Sequence, residues 1–301
     1  MKRWLTPSLL LVIVSSATAG QPVAPAEPPL TTPPPSGAEL KVLSWNIYML
    51  PGIVPLKARC ARARTIADTL AHCDYDIVVF QEAFHGGAVR TLNARLREAY
   101  PYMYGPFNAR GRSWRYSSGV WVLSRIPLRV LGTLEFDTAC SFDRRARKGA
   151  ALLEGERNGR TFQLLGTHLQ ADDHPAIRAA QVRELYTGLL APYRRDGVPQ
   201  IICGDMNTER EHTEYTDMLC SLDAEDGPSE GAQQQSYDAS TNRIAARVWK
   251  SARTTLDYVL VRVNGTVIRS VQRRVSVIKR PWRRHRDDLS DHYGVACELL
   301  F

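Results

Sequence analysis

Short unbroken apolar runs recur along this chain, among them Ile77-Val-Val-Phe80, Leu164-Leu165 and Ile201-Ile-Cys203. Runs this short suit strands buried on both faces rather than whole helices. They alternate with segments of helical spacing over 62–72, over 87–100 (Val89, Leu92 and Leu96 on one face) and over 176–190, the last preceded by Pro175. Further strand-like runs cover 41–47, 120–123, 129–136, 150–154, 161–165, 256–263, 266–277 and 294–299. Helices interspersed with many strands predict an α/β fold of stacked helix and sheet layers. No internal repeat is visible.

The chain before this pattern is of a different kind. Lys2 and Arg3, the apolar run from Leu9 to Val14 and the small residues Ala17 and Ala19 have the layout of a signal peptide over residues 1–19. The run is too short to cross a bilayer core of ~30 Å. A Pro-rich linker follows over 20–38, so the expected folded domain is 39–301 and the expected location is secreted or periplasmic. Export permits disulfides among six cysteines, although Cys203 and Cys297 lie in apolar runs that suit buried thiols. Spacing leaves any pairing open. The formal charge of +8 falls to +6 without residues 1–19 and points to anionic partners, phosphodiesters or acidic lipid surfaces.

Polar residues stand at the ends of the apolar runs: Asn46, Glu82, His168, Asp205 with Asn207, and Asp291-His292 before the last one. Strand ends on one edge of an α/β sheet are where sites assemble. Carboxylates and amide oxygens without cysteine are hard ligands, suited to Mg²⁺, Mn²⁺ or Ca²⁺. Two histidines add a general base and a donor to a phosphoryl oxygen near neutral pH. Together these groups suit metal-assisted hydrolysis of a phosphate ester.

Leu43-Ser-Trp-Asn-Ile, Gln81-Glu82, Ser118-Gly119-Val120, Gly166-Thr-His168, Gly204-Asp-Met-Asn207, Leu256-Asp257-Tyr and Ser290-Asp-His292 resemble, in order, the motifs of the endonuclease/exonuclease/phosphatase superfamily. Trp45 to Leu50, Gly166 to Ala171, Cys140-Ser-Phe-Asp143 with Lys148-Gly149, Glu214-Tyr215, and Tyr237-Asp238-Ala239 with Asn242 resemble its bacterial secreted neutral sphingomyelinases. The resemblance implies a DNase I-like four-layer α/β/β/α sandwich of two mixed sheets flanked by helices. It implies Glu82 and Asn46 as the principal metal site, filled by Mg²⁺ with Mn²⁺ or Co²⁺ as substitutes, and Asp291 at a second ion. His292 would be the base, oriented by Asp257; Asp205 and Asn207 would position water and phosphate; His168 would donate to a phosphoryl oxygen. Asp143 joins the catalytic set, and Lys148 faces the substrate or stays a solvated charge.

The implied reaction is hydrolysis of sphingomyelin to ceramide and phosphocholine by a monomer in peripheral contact with a sphingolipid or phospholipid membrane, without a stable protein partner. Eight Lys/Arg and no acidic residue lie between Arg269 and Arg286, where that branch carries a hairpin with exposed aromatics. Trp282 falls there without the usual aromatic pair, as a membrane contact or as a partly packed residue of a twisted hairpin. Trp114, Tyr116, Tyr237 and Trp249 are of a type to face a choline. A nuclease or other phosphodiesterase or phosphatase of the same superfamily is the rival, with nucleic acid as substrate. A binding module that kept the fold and lost the chemistry fits the complete motif set less well.

Overall fold

Alternation along β1 (Glu39–Met49) makes this strand serve two cores at once. Leu40 and Val42 enter one apolar cluster, while Leu43, Trp45, Ile47 and Met49 enter another. The structure, a computed structural model, describes residues 39–54, 58–111 and 113–301. The signal-peptide and linker expectations over 1–38 lie outside the described residues.

β1 pairs parallel with β2 (Ile77–Ala83) and antiparallel with β16 (Gly294–Leu300). β4 (Trp121–Ser124) and β3 (Tyr102–Tyr104) extend the sheet beyond β2, and β13 (Ser270–Ser276) and β9 (Ser229–Glu230) extend it beyond β16. The second sheet runs β12 (Asp257–Arg262), β8 (Gln200–Asp205), β7 (Arg160–His168), β6 (Gly149–Arg157), β5 (Leu128–Glu135), with β7 and β8 parallel. Both sheets are mixed.

Val42, Val79, Val122, Leu164, Ile201, Val259 and Val295 fill the space between the sheets. The outer face of the first sheet packs on α1 (Arg59–Leu70) and α2 (Gly86–Leu96) through Ile66, Leu70 and Leu92. The outer face of the second packs on α3 (Pro175–Leu185) and α4 (Thr213–Leu222) through Leu185, Met218 and Leu222. The result is the four-layer α/β/β/α sandwich. Smaller pieces complete it: the pair β10 (Tyr237–Asp238) and β11 (Arg253–Thr254), the short α5 (Ala245–Val248), and the hairpin of β14 (Lys279–Arg283) with β15 (Arg286–Asp288).

Three of the longer helices differ from the sequence reading. α4, absent from the sequence reading, is ten residues long and buries only Met218 and Leu222. The helix expected over 176–190 stops being α-helical at Leu185 and widens into a π-turn over Tyr186–Leu190. α1 starts earlier than expected because Arg59 and Arg62 lie on its buried face. All six cysteines are free thiols.

Gly149 marks the tightest approach between β5 and β6, where it pairs with Glu135. A Cβ there would lie 1.9 Å from the Leu134 carbonyl oxygen and 2.8 Å from Asn108 Nδ2, and main chain cannot swing away as a side chain can. Gly149→Ala is expected to cost about 1–3 kcal/mol in denaturant unfolding. Gly52→Ala, with nothing within 4 Å of the added carbon, should leave the midpoint within error. Equal stability of the two variants would refute this account.

Candidate active site

The inner faces of five strands turn from apolar to polar at the same end. Val42, Ser44 and Asn46 follow one another on β1, Ile77, Val79 and Gln81 on β2, Leu164, Gly166 and His168 on β7, and Ile201, Cys203 and Asp205 on β8. β12 runs the other way and contributes Val261, Val259 and Asp257. Register then sets the functional groups abreast: Asp257 pairs with Asp205, Asp205 with His168, and Asn46 with Gln81. The mouth of the inter-sheet core is therefore lined by amide, carboxylate and imidazole groups. Two residues further in on β2 and β12 (Val79, Val259), and four on β1, β7 and β8 (Val42, Leu164, Ile201), the lining is aliphatic.

Hydrogen bonds join these groups across the two sheets. Asn46 Nδ2 donates to Asp205 Oδ2 at 2.9 Å, and the Asn207 amide donates to Asp205 Oδ1 at 3.0 Å. His292 Nδ1 lies 2.7 Å from Asp257 Oδ2, and its Nε2 faces Asp205 Oδ2 at 3.8 Å. On the other side of Asp205, His168 Nε2 is 3.6 Å from the same oxygen. Lys148 Nζ donates to His168 Nε2 at 3.1 Å and to the Leu169 carbonyl at 2.7 Å, and it meets Asp143 Oδ2 at 2.7 Å. Lys148 is 2% exposed, which corrects the solvated-charge reading: it is an internal cation between a carboxylate and an imidazole.

These contacts drive the two histidines apart. Burial disfavours charge on His292, but the carboxylates of Asp257 and Asp205 outweigh it and hold the ring well above the usual histidine range. Burial and then the Lys148 ammonium push His168 down to about 4, so it is neutral at pH 7. Since Lys148 donates to Nε2, the neutral ring carries its proton on Nδ1, which is buried without a partner. For Asp143, burial is outweighed by Lys148 and His168, and the carboxyl stays below its usual range.

Glu82 and Asp291 form a second group. Burial, then the Asp291 carboxylate, raises Glu82 to about 8, and burial raises Asp291 as well. Glu82 Oε2 is buried with no hydrogen-bond partner. Two hard carboxylates held together with an orphaned oxygen, beside the Asn46 amide, fit a divalent cation, whose charge reverses the penalty both now carry. Asp205, Asp257 and His292 also bring ligand atoms within 4.8 Å of one another, but Nδ1 of His292 is already engaged by Asp257. The backbone here is strained: Tyr48, Glu82 and Asn207 adopt φ of 50°, 59° and 50°, each at a cost of about 1 kcal/mol or more.

Among the residues that hold this geometry, Arg62 and Ser236 did not stand out in the sequence, while Trp45, Ser290, Asp238 and Asn242 lay within its motifs. The Arg62 guanidinium, buried on α1, donates to the carbonyls of Ile47, Tyr48 and Leu289, so it ties the end of β1 to the segment carrying Asp291 and His292. A charge on the apolar face of an amphipathic helix was the available signal. Ser290 Oγ donates to the Asn46 carbonyl and Trp45 Nε1 to the His292 carbonyl. Ser236 Oγ accepts from the amides of Leu256 and Asp257. Asp238 and Asn242 make local turn and cap contacts, yet Asn242 Nδ2 also donates to the Ser290 carbonyl.

The aromatic expectations divide. Tyr237 packs edge-on against His292 at 5.0 Å between ring centres, with Trp249 against Tyr237 at 6.0 Å. Tyr116 packs on Phe84, two residues past Glu82. Trp114 is 78% exposed and faces no such group. Trp282 does not project from the hairpin: it is half-buried against the α1 and α2 cluster, and its Nε1 donates to the Asp288 carbonyl at 2.8 Å.

Known proteins share this arrangement of strands and motifs. The chain is 29% identical to Sphingomyelinase C 2 of Leptospira interrogans serovar Lai over 85% of its own length, and spans 45% of that protein. It superposes on sphingomyelinase C from Streptomyces griseocarneus with a TM-score of 0.78 and 28% identity, over 86% of this chain and 99% of that one. A beta toxin mutant from Staphylococcus aureus with bound magnesium ions gives a TM-score of 0.78 at 25% identity, with the same coverage. The profile of the endonuclease/exonuclease/phosphatase family matches residues 43–292, and this chain belongs to that family.

Proposed function

We propose that the chain is a metal-dependent phosphodiesterase that hydrolyses sphingomyelin to ceramide and phosphocholine. One observation carries the reading: an imidazole fixed by a buried carboxylate, His292 on Asp257 at 2.7 Å, at the mouth that also holds the paired carboxylates Glu82 and Asp291. The similarity to sphingomyelinases C supports the substrate class.

His292 Nε2 takes the proton of a water molecule whose oxygen attacks phosphorus in line. Asp257 keeps His292 Nδ1 protonated, so that Nε2 is the basic nitrogen. Asp205, tied to Asn46 and Asn207, orients water and phosphate. Neutral His168 offers an N–H to a phosphoryl oxygen as charge gathers there in the tautomer protonated on Nε2, with Lys148 then held by Asp143 and the Leu169 carbonyl. The P–O bond to ceramide breaks opposite the attacking oxygen, and the alkoxide is protonated by solvent. Glu82, Asn46 and Asp291 would hold the Mg²⁺, which when bound supplies Lewis-acid stabilisation of phosphoryl charge.

His292→Ala is expected to lower kcat/KM by about 10³-fold or more with an unchanged melting temperature, since a positioned base supplies roughly 10²–10⁴. Near-normal turnover by the variant would remove His292 from the mechanism.

The acid limb of kcat/KM has a definite sign. The working form of His292 is neutral and the carboxylates favour the charged form, so rate rises with pH through an elevated midpoint. Asp257→Asn removes the larger of the carboxylate influences that raise His292 and should move that midpoint to lower pH while reducing the maximal rate. A midpoint that stays put or rises would contradict the assignment.

Substrate class is tested by offering purified protein sphingomyelin, phosphatidylcholine and single-stranded DNA with Mg²⁺ and then with excess EDTA. Phosphocholine release from sphingomyelin, abolished by EDTA, is the expected result. Degradation of DNA without lipid cleavage would replace this reading by a nuclease.

A further inference from the structure

We propose that Trp114 and Phe142, with the neighbouring Arg144 and Arg145, form the surface by which this chain docks on a phospholipid bilayer. The proposal rests on the lipid-diester reading for its purpose. Its physical basis is separate.

Among the described residues, Trp114 is 78% and Phe142 44% exposed. Their two segments run side by side: the Tyr116 amide donates to the Arg145 carbonyl at 2.8 Å, and the Arg147 amide to the Tyr116 carbonyl at 3.0 Å. Both lead directly into the site. Phe142 precedes Asp143, whose carboxylate holds Lys148 against His168. Trp114 stands two residues before Tyr116, which packs on Phe84 beside the Glu82 turn. Across the mouth, Trp249 is 46% exposed and reaches His292 through Tyr237. Exposed aromatics thus stand on segments that touch the site from both sides.

Large aromatic side chains kept in water are costly, and the headgroup region of a bilayer is where an amphipathic indole is most stable. Arg144 and Arg145 are exposed and form no ion pair with any described carboxylate, and the Arg145 guanidinium lies 5.4 Å from the Phe142 ring centre. An aromatic tip flanked by unpaired guanidinium groups complements lipid phosphates. The two rival surfaces fit less well. The arginine-rich hairpin has its only aromatic, Trp282, packed inward and offers charge alone. The exposed Val267 lines a cavity of about 320 Å³ with no aromatic residue, in which Arg273 is paired with Asp226. Single-stranded nucleic acid would need a charged groove with stacked bases along it, whereas Trp114 stands out as a tip.

The test separates docking from chemistry. Sedimentation with phosphatidylcholine vesicles, with and without phosphatidylserine, measures partitioning of the wild type, His292→Ala, Trp114→Ala, Phe142→Ala and Arg144→Gln/Arg145→Gln. Hydrolysis of bis(p-nitrophenyl) phosphate reports the chemistry without a membrane. His292→Ala should partition as the wild type does. Each aromatic variant should lose roughly tenfold in partitioning while cleaving the soluble diester within twofold of the wild type. The arginine variant should lose affinity only for vesicles containing phosphatidylserine, and added salt should erase that difference.

Unchanged partitioning of both aromatic variants would overturn the proposal, as would parallel loss of binding and soluble-diester hydrolysis. So would loss of binding to a single-stranded oligonucleotide with vesicle binding intact. If the wild type cleaves no lipid but the aromatic variants still release vesicles, the docking surface stands and the sphingomyelin reading falls.

Discussion

Asn46 on the first sheet and Asp205 on the second meet at 2.9 Å across the mouth of the inter-sheet core. Asp205 is fully buried and faces an imidazole on either side, so its orientation decides how His292 and His168 stand relative to one another. That orientation is fixed by both oxygens: Oδ2 accepts from Asn46 and Oδ1 from the Asn207 amide. A buried carboxylate with only one such partner would be free to turn, and leaving the other oxygen bare would cost several times what the bond itself contributes. The apolar packing between the sheets brings β1 and β8 close enough for this contact. The contact in turn fixes where the polar end of that packing begins.

The charges at this end are unequal by construction. Lys148 serves Asp143 and His168, so that cluster is internally balanced and keeps one histidine neutral. Burial dominates at the carboxyls of Glu82 and Asp291, and His292 and Arg62 offset only part of that cost, Arg62 spending its donors on three carbonyls. Both carboxyls therefore sit above their usual range while Asp143 sits below. Two histidines in one mouth with opposite shifts are a division of labour set by neighbours, one suited to gaining a proton and one to donating a hydrogen bond while uncharged.

Most of the strands were legible because their signal is local: an apolar run bounded by breaks reads the same wherever its partners lie, whereas the four-layer sandwich was implied only by the family resemblance. Asn46, Glu82, His168, Asp205, Asp257 and His292 were legible for a related reason, since each ends or begins such a run and the family motifs preserve that order. Arg62 was not, because its value comes from carbonyls of residues 47, 48 and 289 that only the fold assembles. Lys148 read equally as a surface charge, since nothing in Arg147-Lys148-Gly149 says that its Nζ reaches across to His168. Trp282 read either as a membrane contact or as a partly packed hairpin residue, because hairpin position was visible and the packing of its face was not; the structure has it half-buried. α4 was missed: it spans only ten residues, of which Met218 and Leu222 alone are buried.

The positive excess also changes meaning once the arginines are located. Arg62, Arg178, Arg262 and Arg273 are buried, and each is absorbed by internal acceptors: Arg62 by carbonyls, Arg178 by both oxygens of Glu214, Arg262 by Gln200 and Asp223, Arg273 by the Val259 carbonyl and Asp226. Within the basic stretch before His292, Arg273 is thus interior, and Lys279 is held by Asp288 at 2.8 Å. Guanidinium groups used in this way act as multidentate hydrogen-bond donors that close loops, and contribute little field to an approaching anion. Net charge from composition therefore overstates the field that an approaching anion meets. What acts on an anionic partner is the subset left unpaired at the surface, so any preference for a lipid or nucleic-acid phosphate is set by where those few groups stand relative to exposed aromatics rather than by how many arginines the chain contains.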